Sequence, residues 1–182
     1  MKPILTGGLL AAVVMFLWGF LYWSVSGIST RILHPVPDEL SLAQKLAEVL
    51  PQSGGYLMPF PANTSTEEFL KRMASGPLVQ ILYTREGGDP MQASVFVFGF
   101  LHMLASALVM GLVLSRTAAA LPGYGARLQL VVIAGLAGSL FANLGRPIWW
   151  HQPWDFHLMN FAYEITSWTF AGLVLARFVR AR

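Results

Sequence analysis

Residues Ile4–Ser26 read ILTGGLLAAVVMFLWGFLYWSVS, a stretch without one Asp, Glu, Lys or Arg. An apolar run of roughly 18 residues or more is long enough, as a helix, to cross the hydrocarbon core of a bilayer. Three further runs follow at Ala93–Leu114, Leu128–Leu144 and Leu158–Ala176, and the long segment Gly27–Gln92 separates the first two. This pattern predicts an all-α membrane protein. The expected architecture is a four-helix transmembrane bundle with spans at 4–26, 93–115, 128–147 and 158–178. A small α/β periplasmic cap at 27–92 lies between helices 1 and 2, and a short periplasmic loop lies at 148–157.

Composition agrees, since 55% of the 182 residues are hydrophobic and only 12% are charged, values that suit one small polytopic unit. The net charge of +3 does not point to nucleic acid, because the basic residues sit at the ends of the apolar runs rather than in a patch interleaved with aromatics. The lipid bilayer is the expected environment. The chain has no cysteine, which excludes thiolate catalysis, disulfide exchange, iron–sulfur clusters and Cys-ligated zinc. Lys2 and the small-x-small pattern Ser24-Val25-Ser26 give the first run some likeness to a signal peptide. Its apolar core exceeds the roughly 7–15 residues of such a peptide, so it is read as a retained anchor.

Orientation follows from Lys and Arg in the short flanks, which stay on the cytoplasmic side. Lys2, Arg116, Arg127, Arg177, Arg180 and Arg182 fall on one side, whereas the short loop opposite holds only Arg146. Both termini are expected in the cytoplasm of a bacterium, with the chain in the inner membrane and the long loop in the periplasm. Trp18, Tyr22 and Trp23, with Trp149, Trp150 and Trp154, suit an aromatic belt at the outer face.

The long loop carries fold signals of its own. Pro37-Asp38 opens a helix with Leu40, Leu42, Ala43, Leu46, Val49 and Leu50 at helical spacing, ended by Pro51. Asn63-Thr64-Ser65 offers N-caps for a second helix with Glu67 and Glu68 in its first turn, stopping at Gly76-Pro77. Leu78–Thr84 reads as a strand, and Tyr56–Phe60 is its candidate partner. So short a loop buries little core by itself, and it is expected to pack on the helix ends.

The phrases GGLLAAVVMFLWG (7–19), LPQSGGYLMPFP (50–61), MASGP (73–77) and TFAGLVLA (169–176) occur in an order that resembles a family of small four-helix bacterial inner-membrane proteins. PIWWHQPWDFH (147–157) is similar to that family's second exposed loop only in outline. The family has no established activity, so the resemblance implies a fold and no reaction.

Glu164 is the residue that composition leaves least explained, because an ionisable group inside a spanning helix is costly and normally faces the bundle interior with a partner. Asn160, Ser167 and Ala171 share its face, and the third helix offers Gly135, Ser139, Asn143 and Arg146. At ~1.5 Å per residue, Glu164 lies ~9 Å and His102 ~13 Å inside their helices, near the boundary that holds Asn143 and Arg146. Arg146 is the expected counter-ion of Glu164, with Asn143 or His102 completing a buried polar cluster. As metal ligands, His102, His151 and His157 are weak candidates, since their spacing matches no common site. No cofactor is expected.

With no phosphate loop, nucleophile elbow or catalytic carboxylate pair, the leading expectation is a non-enzymatic accessory or assembly subunit of a larger membrane complex. Its partner would be another membrane protein or a second copy, met through Trp149, Trp150, Trp154, Tyr56 and Phe60. The alternatives are a lipid-, quinone- or metal-binding protein using Glu164, Arg146 and His102, and a small proton or ion transporter.

Overall fold

The computed structural model describes residues 1–62 and 64–180. Asn63 as an N-cap and Arg182 as a flanking charge therefore lie outside the described residues. In chain order the elements are α1 (Lys2–Phe20), α2 (Ile28–Ile32), α3 (Glu39–Val49), β1 (Gly54–Met58), α4 (Thr66–Ser75), β2 (Val79–Tyr83), α5 (Ala93–Thr117), α6 (Tyr124–Ser139), α7 (Gly145–Trp150) and α8 (Trp154–Phe178). Two π-helical turns, Leu21–Val25 and Leu140–Leu144, extend α1 and join α6 to α7. The chain divides into two compact units, one of Met1–His34 with Met91–Arg182 and one of Pro35–Pro90.

In the first unit, α1 lies along α5 and α8, and α8 lies along α1 and α6, while α5 meets α6 and α8 only slightly. Small residues let these helices approach closely, since cores between apolar helices depend on van der Waals fit. A Cβ added at Gly8 would meet Leu108, one at Gly111 would meet Ile4, and one at Gly172 would meet Leu128 and Val131. The core between them holds Ala11, Met15, Ala107, Leu114, Val131, Ala171 and Leu175. Large apolar side chains such as Leu17, Phe98, Val109 and Phe141 face outward on the same helices, an arrangement that suits lipid and not water.

Among the described residues, three helical stretches are long and apolar enough to cross a membrane: Lys2–Val25, Ala93–Thr117 and Tyr124–Trp150. The sequence reading expected four. α8 has the length, at 25 residues, but Asp155, Asn160, Glu164, Thr166, Ser167 and Thr169 make it too polar to stand with the others. The third stretch also runs further than 128–147, because the π-helical turn carries it on through Trp149 and Trp150. His151, with a left-handed φ of 52°, stops it, and Pro153 precedes α8, so the connection shrinks from 148–157 to three residues.

The second unit pairs two helices with a two-stranded antiparallel sheet in which Tyr56 lies opposite Ile81. Asp38 accepts the Ser41 N–H at 3.0 Å and Ser65 accepts the Glu68 N–H at 3.2 Å, each side chain satisfying a donor that a helix start leaves free. Arg85 Nη1 donates to the carbonyls of Ala47 and Leu50 at 2.9 and 3.0 Å, tying the segment after β2 to the end of α3. Within the unit only Leu50 and Pro59 are buried among the described residues, so its core is thin, as its length requires.

Candidate functional site

Three contacts set the antiparallel register of α6 on α8. A Cβ at Gly135 would lie 2.5 Å from Trp168, one at Gly172 would lie against Val131, and Arg127 Nε donates to the Ala176 carbonyl at 3.0 Å. Residues 131, 135 and 139 form one ridge of α6, and 172, 168 and 164 form the facing ridge of α8. One turn beyond the Gly135–Trp168 contact, Ser139 therefore stands at the level of Glu164. One turn further, Asn143 stands at the level of Asn160. Ser139, Asn143 and Ser167 are buried and Glu164 is partly buried. The Ser139 and Ser167 hydroxyls have no hydrogen-bond partner, and Asn143 Nδ2 donates to the Ser139 carbonyl at 3.1 Å.

The expected ion pair is absent. Among the described residues the salt bridge formed is the surface pair Arg72–Glu68 at 2.9 Å, and none joins Glu164 to Arg146. Two physical reasons apply. Arg146 is seven residues beyond Ser139, about 10 Å further along the axis than the level of Glu164. The wide π-helical turn between them gives the next inward position to Pro147, which is buried, and leaves Arg146 exposed. His157, at the start of α8, is buried and bonded to Gln152 Oε1 at 2.6 Å.

His102 does not join the cluster either. It is exposed on α5, and its carbonyl accepts from Ser106. His151 is exposed, and no group of three His, Cys, Asp or Glu side chains converges among the described residues, so the histidines have no shared metal site there. Trp149, Trp150 and Trp154 are exposed at the α7–α8 connection.

Two sets of contacts had no signal in the sequence. Trp18 Nε1 donates to Thr166 Oγ1 at 2.9 Å and Tyr22 Oη donates to the Met159 carbonyl at 2.8 Å, within a ring cluster that includes Trp23, Tyr163 and Phe170. Arg127, read from the sequence as a flanking charge, is buried and donates to the carbonyls of Leu121, Pro122 and Ala176. Neither spacing nor residue type distinguishes it from the exposed arginines.

In the second unit, a cleft of ≈ 870 Å³ lies among α3, α4 and the sheet, with Leu46, Val49, Tyr56, Met58, Phe60 and Ile81 in its walls. It thus brings together Tyr56 and Phe60, the two loop residues expected at an interface. Arg72 and Ser75 supply polar atoms at its edge. Nearby, the Ser53 hydroxyl donates to Glu86 at 2.6 Å and holds that carboxylate below its ordinary range. Compared with family models, curated proteins and solved structures, the chain matches none.

Proposed function

We propose that this chain is a non-enzymatic accessory or assembly subunit of a larger bacterial inner-membrane complex. In this reading α8 is a fourth span, both termini are cytoplasmic and the Pro35–Pro90 unit is periplasmic. The lengthwise packing of α8 between α1 and α6 supports its place in the membrane, because helices 25 residues long reach about 37 Å. Buried position also lets a polar helix persist there, with Thr166 and Asn160 bonded to Trp18 and to the Phe156 carbonyl.

The observation that carries the functional reading is the apolar cleft in the second unit. Val49 is 68% exposed, Met58 52% and Phe60 62%, in a unit with almost no core of its own. Apolar surface of this kind marks a binding face when it is rimmed by polar groups. The test is extraction of the tagged protein from native membranes in a mild detergent. A partner should be held in fixed stoichiometry by the natural chain and lost with Phe60→Glu, while the variant keeps its thermal stability. A chain that runs alone, or a partner held equally by both forms, would overturn the reading.

A further inference from the structure

The seam of α6 and α8 is built like a cation site. We propose that Glu164, Ser139, Ser167 and Asn143 bind one small monovalent cation, through the carboxylate, the two hydroxyls and the amide carbonyl. This inference is independent of the accessory-subunit reading.

Ser139 is 1% exposed and Ser167 3%, and neither hydroxyl oxygen has a partner. A buried polar group left unpaired costs free energy, so two of them inside one bundle, near the level of Glu164, call for a ligand that satisfies both. The ridge register places Ser139 at the level of Glu164, and Ser167 follows Glu164 by one turn on the inward stripe that continues to Ala171. Among the described residues no cationic side chain lies within ion-pair distance of Glu164. Arg146 is exposed further out and His102 is exposed on α5. An anionic oxygen in such surroundings draws a cation from elsewhere.

The donor chemistry narrows the class. All four groups are hard oxygen ligands, which exclude the soft transition ions and suit alkali and alkaline-earth cations. They carry a single negative charge, so one monovalent ion leaves the site neutral, whereas a divalent ion leaves a net positive charge among apolar helices. Burial of both hydroxyls admits an ion more readily than an organic headgroup. The adjoining π-helical turn fits as well, since irregular helix within a bundle is sustained where it lines a polar site.

Sodium serves as the probe. The detergent-purified full chain is unfolded thermally in NaCl and in choline chloride at matched ionic strength, followed by tryptophan fluorescence. Sodium should raise the midpoint in a saturable way, as a ligand of the folded state does. Glu164→Gln should abolish that increment. The double variant Ser139→Ala, Ser167→Ala should raise the half-saturating sodium concentration about tenfold or more. Equal midpoints in the two salts, or an increment that survives Glu164→Gln, would overturn the proposal. If Glu164→Gln does not fold, the serine double variant decides alone, and an unshifted sodium midpoint overturns it.

Discussion

Arg127 and Arg85 do the same task in the two units. Each donates to carbonyls at or beside a helix C-terminus, where the last turn lacks intrahelical donors. Arg127 is the more consequential because it is buried and joins α8 to the α5–α6 connection. Arg127→Ala should lower stability in detergent by about 3 kcal/mol, the scale of losing charge-assisted bonds and leaving buried carbonyls unpaired. Arg127→Lys should recover less than half, since an ammonium lacks the planar fork that reaches several acceptors. Thermal unfolding in detergent checks both. Glu86 offers a test by titration, because the Ser53 hydroxyl lowers its folded-state pKa first, aided by a backbone hydrogen bond and by Arg85. A depressed carboxyl contributes stability in full above its unfolded value, and that contribution is lost as pH falls through the folded value. Ser53→Ala should therefore move the Glu86 NMR titration upward, so that the acid loss, which begins at the same unfolded value, is smaller and ends at a higher pH. The carboxyl of Glu164 was singled out by its residue type alone, but which groups stand level with it was not legible. Pairing depends on which residue of a neighbouring helix stands at the same level, and one chain's spacing does not contain that.

The helix pair α6–α8 depends on glycine where its ridges cross. Gly135→Ala places a methyl 2.5 Å from the Trp168 Cβ and Cγ, the stem of a side chain fixed by its own helix, so the axes must separate. A loss of about 1–3 kcal/mol is expected from such overpacking. Gly138→Ala is the control. It meets nothing within 4 Å, and by helix propensity it should hold or raise stability by up to about 1 kcal/mol. Denaturation of the two variants in the same detergent compares them. At this scale the sequence was informative about which elements form: the Asp38 and Ser65 caps, the β1–β2 pair and the three apolar stretches all follow from local rules. The π-helical turns did not. Each inserts one residue into the hydrogen-bonding ladder, as the Ser26 N–H donating to the Leu21 carbonyl at 2.9 Å illustrates, and hydrophobic period does not foresee where that occurs.

For the whole molecule, the decisive measurement is topology. The chain has no cysteine, so single cysteines introduced at Ser65, Gln152, Gly123 and Arg180 report without background. With α8 as a fourth span, Ser65 and Gln152 label from outside, and Gly123 and Arg180 from the cytoplasm. If Arg180 labels from the side of Gln152, α8 does not cross. The sequence by itself determined that the chain carries stretches long and apolar enough to cross a membrane, because length and hydropathy are read directly from it, and it determined the helices and paired strands of the second unit, because caps, turns and alternation act within a few residues. Only the tertiary structure decided which polar groups meet. Helix register set Ser139 level with Glu164 and buried Arg127, and the π-helical turn Leu140–Leu144 turned Arg146 outward, since those positions come from how side chains of distant segments interlock.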